Sequence, residues 1–218
     1  MDFANLIPLV LPKDLDGAKF PDFTDVLFWK NFKNRTFYID YEITYADLES
    51  GIPDTVSDIN NISNAIMLMN LEEKDTPENE LKPIYIYIDS MGGALDPALA
   101  LCDVIIASRI PVVTIALSNA YSAAFLIYLA GKRRYLFKHS SLLCHQGSLS
   151  VAGSAAEFEE ASKNYKQQLE EMKTYVLERT SIPEAVFKKN QKKDWYFTPE
   201  EVKNYQLGSV IEKLEDIK

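Results

Sequence analysis

The sequence predicts an α/β protein with a largely parallel sheet. Two runs of β-branched and aromatic residues, 84–90 (IYIYIDS) and 112–118 (VVTIALS), have the composition of buried strands. Each run is followed directly by a helical pattern, the first through the glycine pair Gly92–Gly93. Strands that alternate with helices indicate βαβ units, whose strands are parallel. In such folds the functional residues gather at the carboxyl ends of the strands, where a loop turns into a helix.

The segment before the first of these runs is predicted to contain an irregular arm, two helices and one strand. Residues 1–20 include two prolines and indicate an irregular N-terminal arm, and residues 21–218 are predicted to form a single domain. The patterns predict a helix over 23–35, a strand over 36–43 and an amphipathic helix over 55–73. The apolar face of the last helix consists of Val56, Ile59, Ile62, Ile66 and Met69.

The alternation of strands and helices continues to the C-terminus. A helix is predicted to begin near Ser122, a long charged helix over 154–180, and a short helix after FTPEEV. The further predicted strands lie at 133–137, 141–147 and 208–214. The sequence contains no internal repeat and no low-complexity segment.

Composition and charge limit the class of function. The chain has 218 residues, of which 47% are hydrophobic and 25% charged, as in ordinary globular proteins. Its formal net charge is −9, which argues against a nucleic-acid binder, because phosphate contacts require a basic surface. Two histidines are too few for a histidine-rich metal site, and the phosphate-binding motif G-x-x-x-x-G-K-[ST] does not occur. We expect no metal and no cofactor in this chain.

The cysteines and the N-terminus favour a cytoplasmic protein. Cys102 and Cys144 lie in apolar runs, without a CxxC motif or metal-ligand spacing, which is typical of reduced, buried thiols. The N-terminal apolar stretch is interrupted by Pro8 and Pro12 and is not preceded by basic residues. It therefore fits neither a signal peptide nor a membrane span, and we expect no membrane partner.

A candidate nucleophile, Ser122, lies in SNAYSAAFLIYLAG (118–131), between small polar residues and an apolar helix. A serine at a strand-to-helix turn lies at a helix N-terminus, where the dipole and free backbone N–H groups favour developing negative charge. The alternative interpretation is a small residue that lets a buried helix pack closely. From these residues alone, both interpretations stay open.

A serine nucleophile requires a base, an oxyanion site and an orienting acid. His139 lies at a predicted turn and is interpreted as a surface residue, whereas His145 ends an apolar strand, where active-site residues are often found. Cys144 is disfavoured as a nucleophile paired with His145, because successive strand residues point to opposite faces. The pair Gly92–Gly93 is either a tight turn or a place where backbone N–H groups approach an oxyanion. An orienting acid cannot be chosen among 32 acidic residues by pattern.

Four segments in order resemble the proteolytic subunit of the Clp protease, the ClpP family: IYIYIDSMGG, SNAYSAAFLIYLAG, LLCHQG and KKDWYFTPEEVKNYQLGSVI. The similarity runs from about residue 30 to the C-terminus. It implies a ClpP/crotonase-like superhelix of βαβ units with a protruding strand–helix handle at about 147–180. It also implies an ATP-dependent Clp-type serine endopeptidase that degrades unfolded polypeptides inside a barrel.

The resemblance assigns roles to five residues. The family's catalytic triad falls on Ser122 as nucleophile, His145 as base and Asp194 as the orienting acid. The backbone N–H groups of its oxyanion hole fall on Gly93 and Ala123. The steps of 29 residues from Gly93 to Ser122 and of 49 residues from His145 to Asp194 match the family pattern without net gaps.

The chain also departs from the family pattern around these residues. Met91 replaces a proline beside the glycine pair, and Gly147 replaces a proline after the histidine. Ser118 and Ala124 replace glycines on either side of the nucleophile, and Tyr121 precedes it in place of alanine. The resemblance therefore implies a divergent member, with the geometry of the nucleophile turn and the fit of substrate in question.

The resemblance further implies partners. The family assembles as heptameric rings, two of which join through the handle into a tetradecamer. A hexameric AAA+ unfoldase, such as a ClpX- or ClpA/C-like ATPase, feeds substrate and uses the ATP. Tyr85 and Tyr87 are candidates for the apolar pockets that receive unfoldase loops, with strand-core aromatics as the alternative.

Three other functions stay open. The first is a non-catalytic or weakly active ring subunit, against which the retention of Ser122, His145 and Asp194 argues. The second is a phage capsid-maturation or signal-peptide-type protease, the latter expected to use a serine–lysine pair. The third is a crotonase-type acyl-CoA enzyme, which uses paired N–H groups to stabilise an enolate.

Overall fold

The computed structural model describes residues 23–45 and 59–217. The chain divides into two compact units, residues 1–34 and residues 35–218. The predicted arm, residues 1–20, and the first part of the predicted amphipathic helix, including Val56, lie outside the described residues. The domain boundary predicted at residue 21 therefore stays a prediction.

The described residues contain seven α-helices and seven strands. The helices are α1 (Phe23–Lys33), α2 (Ile59–Glu72), α3 (Leu95–Ala107), α4 (Ala123–Ala130), α5 (Ala155–Arg179), α6 (Glu184–Asn190) and α7 (Pro199–Asn204). The strands are β1 (Thr36–Ile39), β2 (Ile84–Ser90), β3 (Val112–Tyr121), β4 (Arg133–Phe137), β5 (Ser141–Cys144), β6 (Trp195–Tyr196) and β7 (Ser209–Ile211). In the first unit, α1 is the described element, and the rings of Phe28, Trp29 and Phe32 contact one another.

The second unit is built on one sheet whose strands are mostly parallel. Five strands are hydrogen-bonded side by side in the order β1-β2-β3-β4-β7, and all four of these pairings are parallel. Strand β5 pairs in parallel with the second half of β3, and β6 pairs antiparallel with β5. The prediction of an α/β protein with a largely parallel sheet is confirmed.

Strand β3 is the central strand of the sheet, and one of its neighbours changes along its length. Residues 113–116 pair with β4, and residues 119–121 pair with β5. The register with β2 also shifts between Ile88 and Ser90. Two side chains bond to backbone groups at this irregularity: the Asp89 carboxylate accepts from the Asn119 N–H (3.1 Å), and the Ser140 hydroxyl donates to the Ala116 carbonyl (2.7 Å). Both contacts give a backbone group of β3 a side-chain partner beside the irregularity.

Helix α4 is buried along its whole length. All eight residues of AAFLIYLA are buried, so the apolar half of the segment 118–131 is a core helix. The Thr114 hydroxyl, also buried, donates to the Tyr128 carbonyl (2.7 Å) and ties α4 to β3. Burial of a Leu, Ile or Phe side chain stabilises a fold by about 1.5–3 kcal/mol, so this helix fixes the position of the turn at its N-terminus.

Several predicted elements are shorter in the structure. The strand predicted over 36–43 ends at Ile39, and Ile43 forms an isolated bridge with Gly93. The strand predicted over 141–147 ends at Cys144, because its parallel neighbour β3 ends at Tyr121 and gives way to α4. Helix α6 and strand β6 were not predicted from the sequence.

The handle expected over 147–180 forms only in part. The long helix is present as α5, and Ser154 caps it, accepting from the Glu157 N–H while the Glu157 carboxylate accepts from the Ser154 N–H. The strand expected before it does not form, since residues 145–154 have no regular secondary structure. A strand requires a neighbour that receives its backbone hydrogen bonds, and none of the described strands pairs with this segment.

Among the described helices, none combines the length and the apolar composition that a bilayer crossing requires. The longest, α5, has 25 residues and is rich in charged side chains.

Candidate active site

A glycine turn follows the carboxyl end of β2. Both glycines have a positive φ, 97° at Gly92 and 140° at Gly93. A Cβ at Gly92 would lie 2.8 Å from the Cβ of Ser122, and a Cβ at Gly93 would lie 2.0 Å from the Ile43 carbonyl oxygen. Any other residue at either position would collide with its neighbour, so glycine is required for both the conformation and the close approach to Ser122.

The Gly93 N–H points away from Ile43, the residue whose backbone bonds to the glycine turn. The Ile43 N–H donates to the Gly92 carbonyl (2.8 Å), and the Ala94 N–H donates to the Ile43 carbonyl (2.7 Å). Gly93 lies between these two bonded residues. In a parallel bridge of this kind its N–H faces away from Ile43. It donates to no acceptor within residues 23–45 and 59–217, and it borders the cleft that contains Ser122.

Ser122 occupies a strained backbone conformation between β3 and α4. Its φ is 55° and its ψ is −123°, a region that non-glycine residues rarely adopt. Two hydrogen bonds hold the residue there: its N–H donates to the Leu143 carbonyl (3.0 Å), and its carbonyl accepts from the Phe125 N–H (3.0 Å). The next N–H, that of Ala123, is in the first turn of α4 and so lacks an intrahelical acceptor.

Strands β5 and β6 bring a histidine and an aspartate together. The antiparallel register pairs Cys144 with Trp195, so the next positions in the ladder are those of His145 and Asp194. The Nδ1 atom of His145 lies 3.0 Å from the Oδ1 atom of Asp194. The imidazole Nε2 atom lies 2.8 Å from the Ser122 hydroxyl oxygen. The structure thus brings Ser122, His145 and Asp194 into one chain of hydrogen-bonding distances.

These groups open onto a cleft of about 420 Å³. Ser122, His145, Gly93 and Ala123 all line it, and helix α5 forms one wall with residues that include Gln168 and Met172. The imidazole of His145 is 32% exposed, so a substrate in the cleft has access to its edge. The Tyr165 hydroxyl on α5 lies 3.1 Å from the Gln146 carbonyl and ties the segment after β5 to that wall.

Comparison with known proteins identifies the family. The model of the Clp protease family matches residues 48–213. The chain belongs to the Clp protease family. Its mixed α/β architecture, with a mostly parallel sheet and seven helices, is consistent with the ClpP/crotonase-like fold expected from the sequence.

Two curated relatives share one name, ATP-dependent Clp protease proteolytic subunit 2. The protein from Treponema denticola is 35% identical over 134 residues, which cover 61% of this chain and 67% of the relative. The protein from Treponema pallidum is 29% identical over 139 residues, which cover 62% of this chain and 70% of the relative. The resemblance recognised in the sequence is confirmed at the level of the family.

The structure shows how one departure beside Ser122, that of Tyr121, is accommodated. The ring of Tyr121, which replaces the alanine of the Clp protease pattern, meets the ring of Tyr196 edge to face at 5.6 Å. Ala124 is fully buried within α4, and Met91 is exposed at the border of the cleft. The bulk of Tyr121 is thus accommodated by a second aromatic residue on β6. Tyr196 was missed from the sequence, although it stands two residues after Asp194 in the quoted segment DWYFT.

The candidate docking tyrosines lie on β2 and are partly exposed. Tyr85 and Tyr87 alternate with the fully buried Ile84, Ile86 and Ile88. The ring of Tyr87 stacks on that of Tyr38 at 5.2 Å, and burial raises the pKa of its hydroxyl. Both tyrosines pack over a buried cluster formed by Val113, Ile115 and Ile211. They lie on one face of the sheet, and their role in docking a partner stays a prediction.

The remaining candidates do not join the site. His139 is exposed at the turn between β4 and β5. Cys144 and Cys102 are buried, and burial raises the pKa of each thiol to about 12. Neither thiol therefore supplies a thiolate nucleophile near neutral pH. No group of three or more His, Cys, Asp or Glu side chains in residues 23–45 and 59–217 has an arrangement that could hold a metal ion.

We predict that both cysteines resist alkylation in the native protein. Iodoacetamide at pH 7.5 should leave Cys102 and Cys144 unmodified in intact-mass analysis, because their buried thiols stay protonated. The same treatment in denaturant should alkylate both. Rapid modification of native Cys144 with loss of peptidase activity would contradict the exclusion of a cysteine nucleophile.

We predict that Tyr121 and Tyr196 stabilise the site through their mutual contact. A double-mutant cycle with Tyr121→Leu and Tyr196→Leu should give a coupling of about 0.5–1.5 kcal/mol in the free energy of unfolding, the range for aromatic pairs. Urea unfolding followed by tryptophan fluorescence measures it. Additivity of the two substitutions within about 0.3 kcal/mol would show that the rings do not interact energetically.

Proposed function

We propose that this member of the Clp protease family is a serine endopeptidase subunit that uses Ser122, His145 and Asp194. The observation that carries the proposal is the position of one imidazole between two partners. Its Nε2 atom is 2.8 Å from the Ser122 hydroxyl and its Nδ1 atom is 3.0 Å from the Asp194 carboxylate. This is the arrangement in which a histidine accepts the proton of a serine while an acid fixes its tautomer.

The proposed reaction is acyl transfer to Ser122. The Ser122 oxygen attacks the peptide carbonyl, and His145 removes its proton as the new bond forms. The Asp194 carboxylate accepts the Nδ1–H and stabilises the imidazolium. His145 then returns the proton to the leaving amine, and water releases the acyl group by the reverse sequence of proton transfers.

The N–H groups of Gly93 and Ala123 are proposed to form the oxyanion hole. Both border the cleft beside Ser122, and neither donates to an acceptor within the described chain. Donors of this kind stabilise the tetrahedral intermediate by roughly 3–4 kcal/mol each, because they are already oriented before the reaction. The positive φ at Gly93 and at Ser122 supports this role, since it presents the two N–H groups to one cleft.

We further propose that the chain acts in a barrel of two heptameric rings fed by an AAA+ unfoldase, such as a ClpX- or ClpA/C-like ATPase, which uses the ATP. The names of the two Treponema relatives describe ATP-dependent proteolytic subunits. Two features of this chain support the assembly. Of the 25 residues of α5, only Met172 and Val176 are buried, and Tyr85 and Tyr87 are partly exposed on the sheet. No cofactor is proposed for the chain itself, and its cytoplasmic location stays a prediction.

The same geometry and the family match argue against the rival functions. A non-catalytic ring subunit needs no contact between Ser122 and His145, yet the two side chains lie within hydrogen-bonding distance. The match of the Clp protease family over residues 48–213 favours a peptidase over a crotonase-type acyl-CoA enzyme. The names of the two Treponema relatives, which describe Clp proteolytic subunits, favour this function over a phage maturation protease.

We predict that Ser122→Ala lowers the peptidase kcat by about three orders of magnitude or more and abolishes labelling by a serine-directed phosphonate. The matched control is Ser148→Ala, since Ser148 lines the same cleft outside the triad. That variant should keep full labelling.

Native mass spectrometry of the labelled protein counts labels and subunits together, with fourteen of each expected. An assembled ring that the phosphonate leaves unlabelled would instead support a non-catalytic subunit, and undiminished cleavage by Ser122→Ala would exclude this nucleophile.

A further inference from the structure

One carboxylate lines the cleft beside Ser122. It belongs to Asp96, in the first turn of α3. Among the described residues that line the cleft there is no lysine, no arginine and no second acid. In the proposed mechanism His145 acts as a base and is therefore neutral before the reaction. Among these lining residues, Asp96 then determines the formal charge of the cleft. A substrate side chain that enters meets a negative site.

Two neutral donors hold the Asp96 side chain in position. The Tyr45 hydroxyl donates to Oδ2 (2.9 Å), and the Gln168 side-chain amide on α5 donates to Oδ1 (3.0 Å). The bond to the carboxylate, together with burial and the charge of Asp96, raises the pKa of the Tyr45 hydroxyl. No lysine or arginine of the described residues forms an ion pair with Asp96. The negative charge is therefore oriented but not neutralised.

The Asp96 carboxylate has room for another donor. A carboxylate has about four acceptor positions, and Tyr45 and Gln168 occupy one on each oxygen. Asp96 is also exposed, so a further donor can reach it from the cleft. A cation is the partner that the remaining positions and the charge both favour.

Apolar side chains line the same cleft. They include Leu126 at the buried helix α4, Leu149 after β5 and Met172 on α5. Lysine and arginine carry an aliphatic stem with a charged end, and they place the stem along apolar surface while the end reaches a polar group. The combination of apolar side chains and one carboxylate fits such a side chain better than a purely aliphatic or an acidic one.

Building on the proposed peptidase function, we propose that Asp96 is a specificity-determining residue that favours substrates with a lysine or arginine side chain near the scissile bond. The amine or guanidinium of that side chain donates to Asp96 while its stem contacts the apolar residues of the cleft. The net charge of −9 acts in the same direction, because it raises the local concentration of basic polypeptides around the protein.

The test compares paired quenched fluorescent peptides that differ at one position, with lysine in one and methionine in the other. The pair is moved through the positions before and after the scissile bond, and kcat/KM is measured for each peptide. At the position that meets Asp96, Asp96→Asn should lower the lysine-to-methionine ratio about fivefold, the effect of losing one partly exposed ion pair. In the wild-type protein the ratio should fall as NaCl is raised from about 50 to 500 mM, because salt screens the pair.

The matched control is Asp103→Asn. Asp103 lies on the same helix, is exposed and does not line the cleft. It should leave the lysine-to-methionine ratio unchanged. Asp96→Lys provides a second variant, and it should shift the preference at the same position towards glutamate-containing peptides.

The outcomes separate this inference from the proposed function. If Asp96→Asn lowers the cleavage of lysine and methionine peptides equally, Asp96 only joins α3 to Tyr45 and α5, and the specificity proposal is overturned. If the ratio is unchanged at every position while the phosphonate still labels Ser122, the proposal also fails and the peptidase function stands. Absence of both labelling and cleavage in the wild-type protein would overturn the peptidase function itself.

Discussion

The close contact between the glycine turn after β2 and the serine turn after β3 determines the rest of the site. Parallel neighbours end at the same edge of a sheet, so β2 and β3 deliver their two turns side by side. The contact is possible only because Gly92 lacks a side chain: a Cβ there would lie 2.8 Å from that of Ser122 and 3.0 Å from the Ala123 nitrogen. The same approach places the Gly93 and Ala123 N–H groups at one cleft. The proposed nucleophile and both proposed oxyanion donors thus depend on one steric condition.

The other half of the site depends on the change of neighbours along β3. Because β4 pairs only with residues 113–116, the end of β3 is free to pair with β5, which carries His145 just past its last residue. The Ser122 N–H then bonds to the Leu143 carbonyl and fixes the serine turn to β5. The short antiparallel strand β6 adds Asp194 opposite His145. Each side chain of the proposed triad is therefore positioned by backbone pairing, and the buried helix α4 keeps the serine turn in place.

The sequence alone predicted the parts of this arrangement that have strong local patterns. The runs 84–90 and 112–118 could be recognised because they are rich in β-branched and aromatic residues, and α5 because its helical pattern extends over 25 residues. The two-residue strand β6 could not be predicted, since its partner β5 is 51 residues away and a pair this short leaves no periodicity. For the same reason Asp194 was selected from the family pattern rather than from spacing. The contact between Tyr121 and Tyr196 and the charge of Asp96 in the cleft required the tertiary structure.

The proposed chemistry requires that one cleft presents Ser122 together with the Gly93 and Ala123 N–H groups. A crystal structure of the phosphonate adduct tests it most directly, since the phosphonyl oxygen occupies the place of the oxyanion. We expect a covalent bond to the Ser122 oxygen, with the phosphonyl oxygen about 2.7–3.2 Å from both backbone nitrogens. An adduct at Ser122 whose phosphonyl oxygen points away from both nitrogens, or an adduct on another residue, would contradict it.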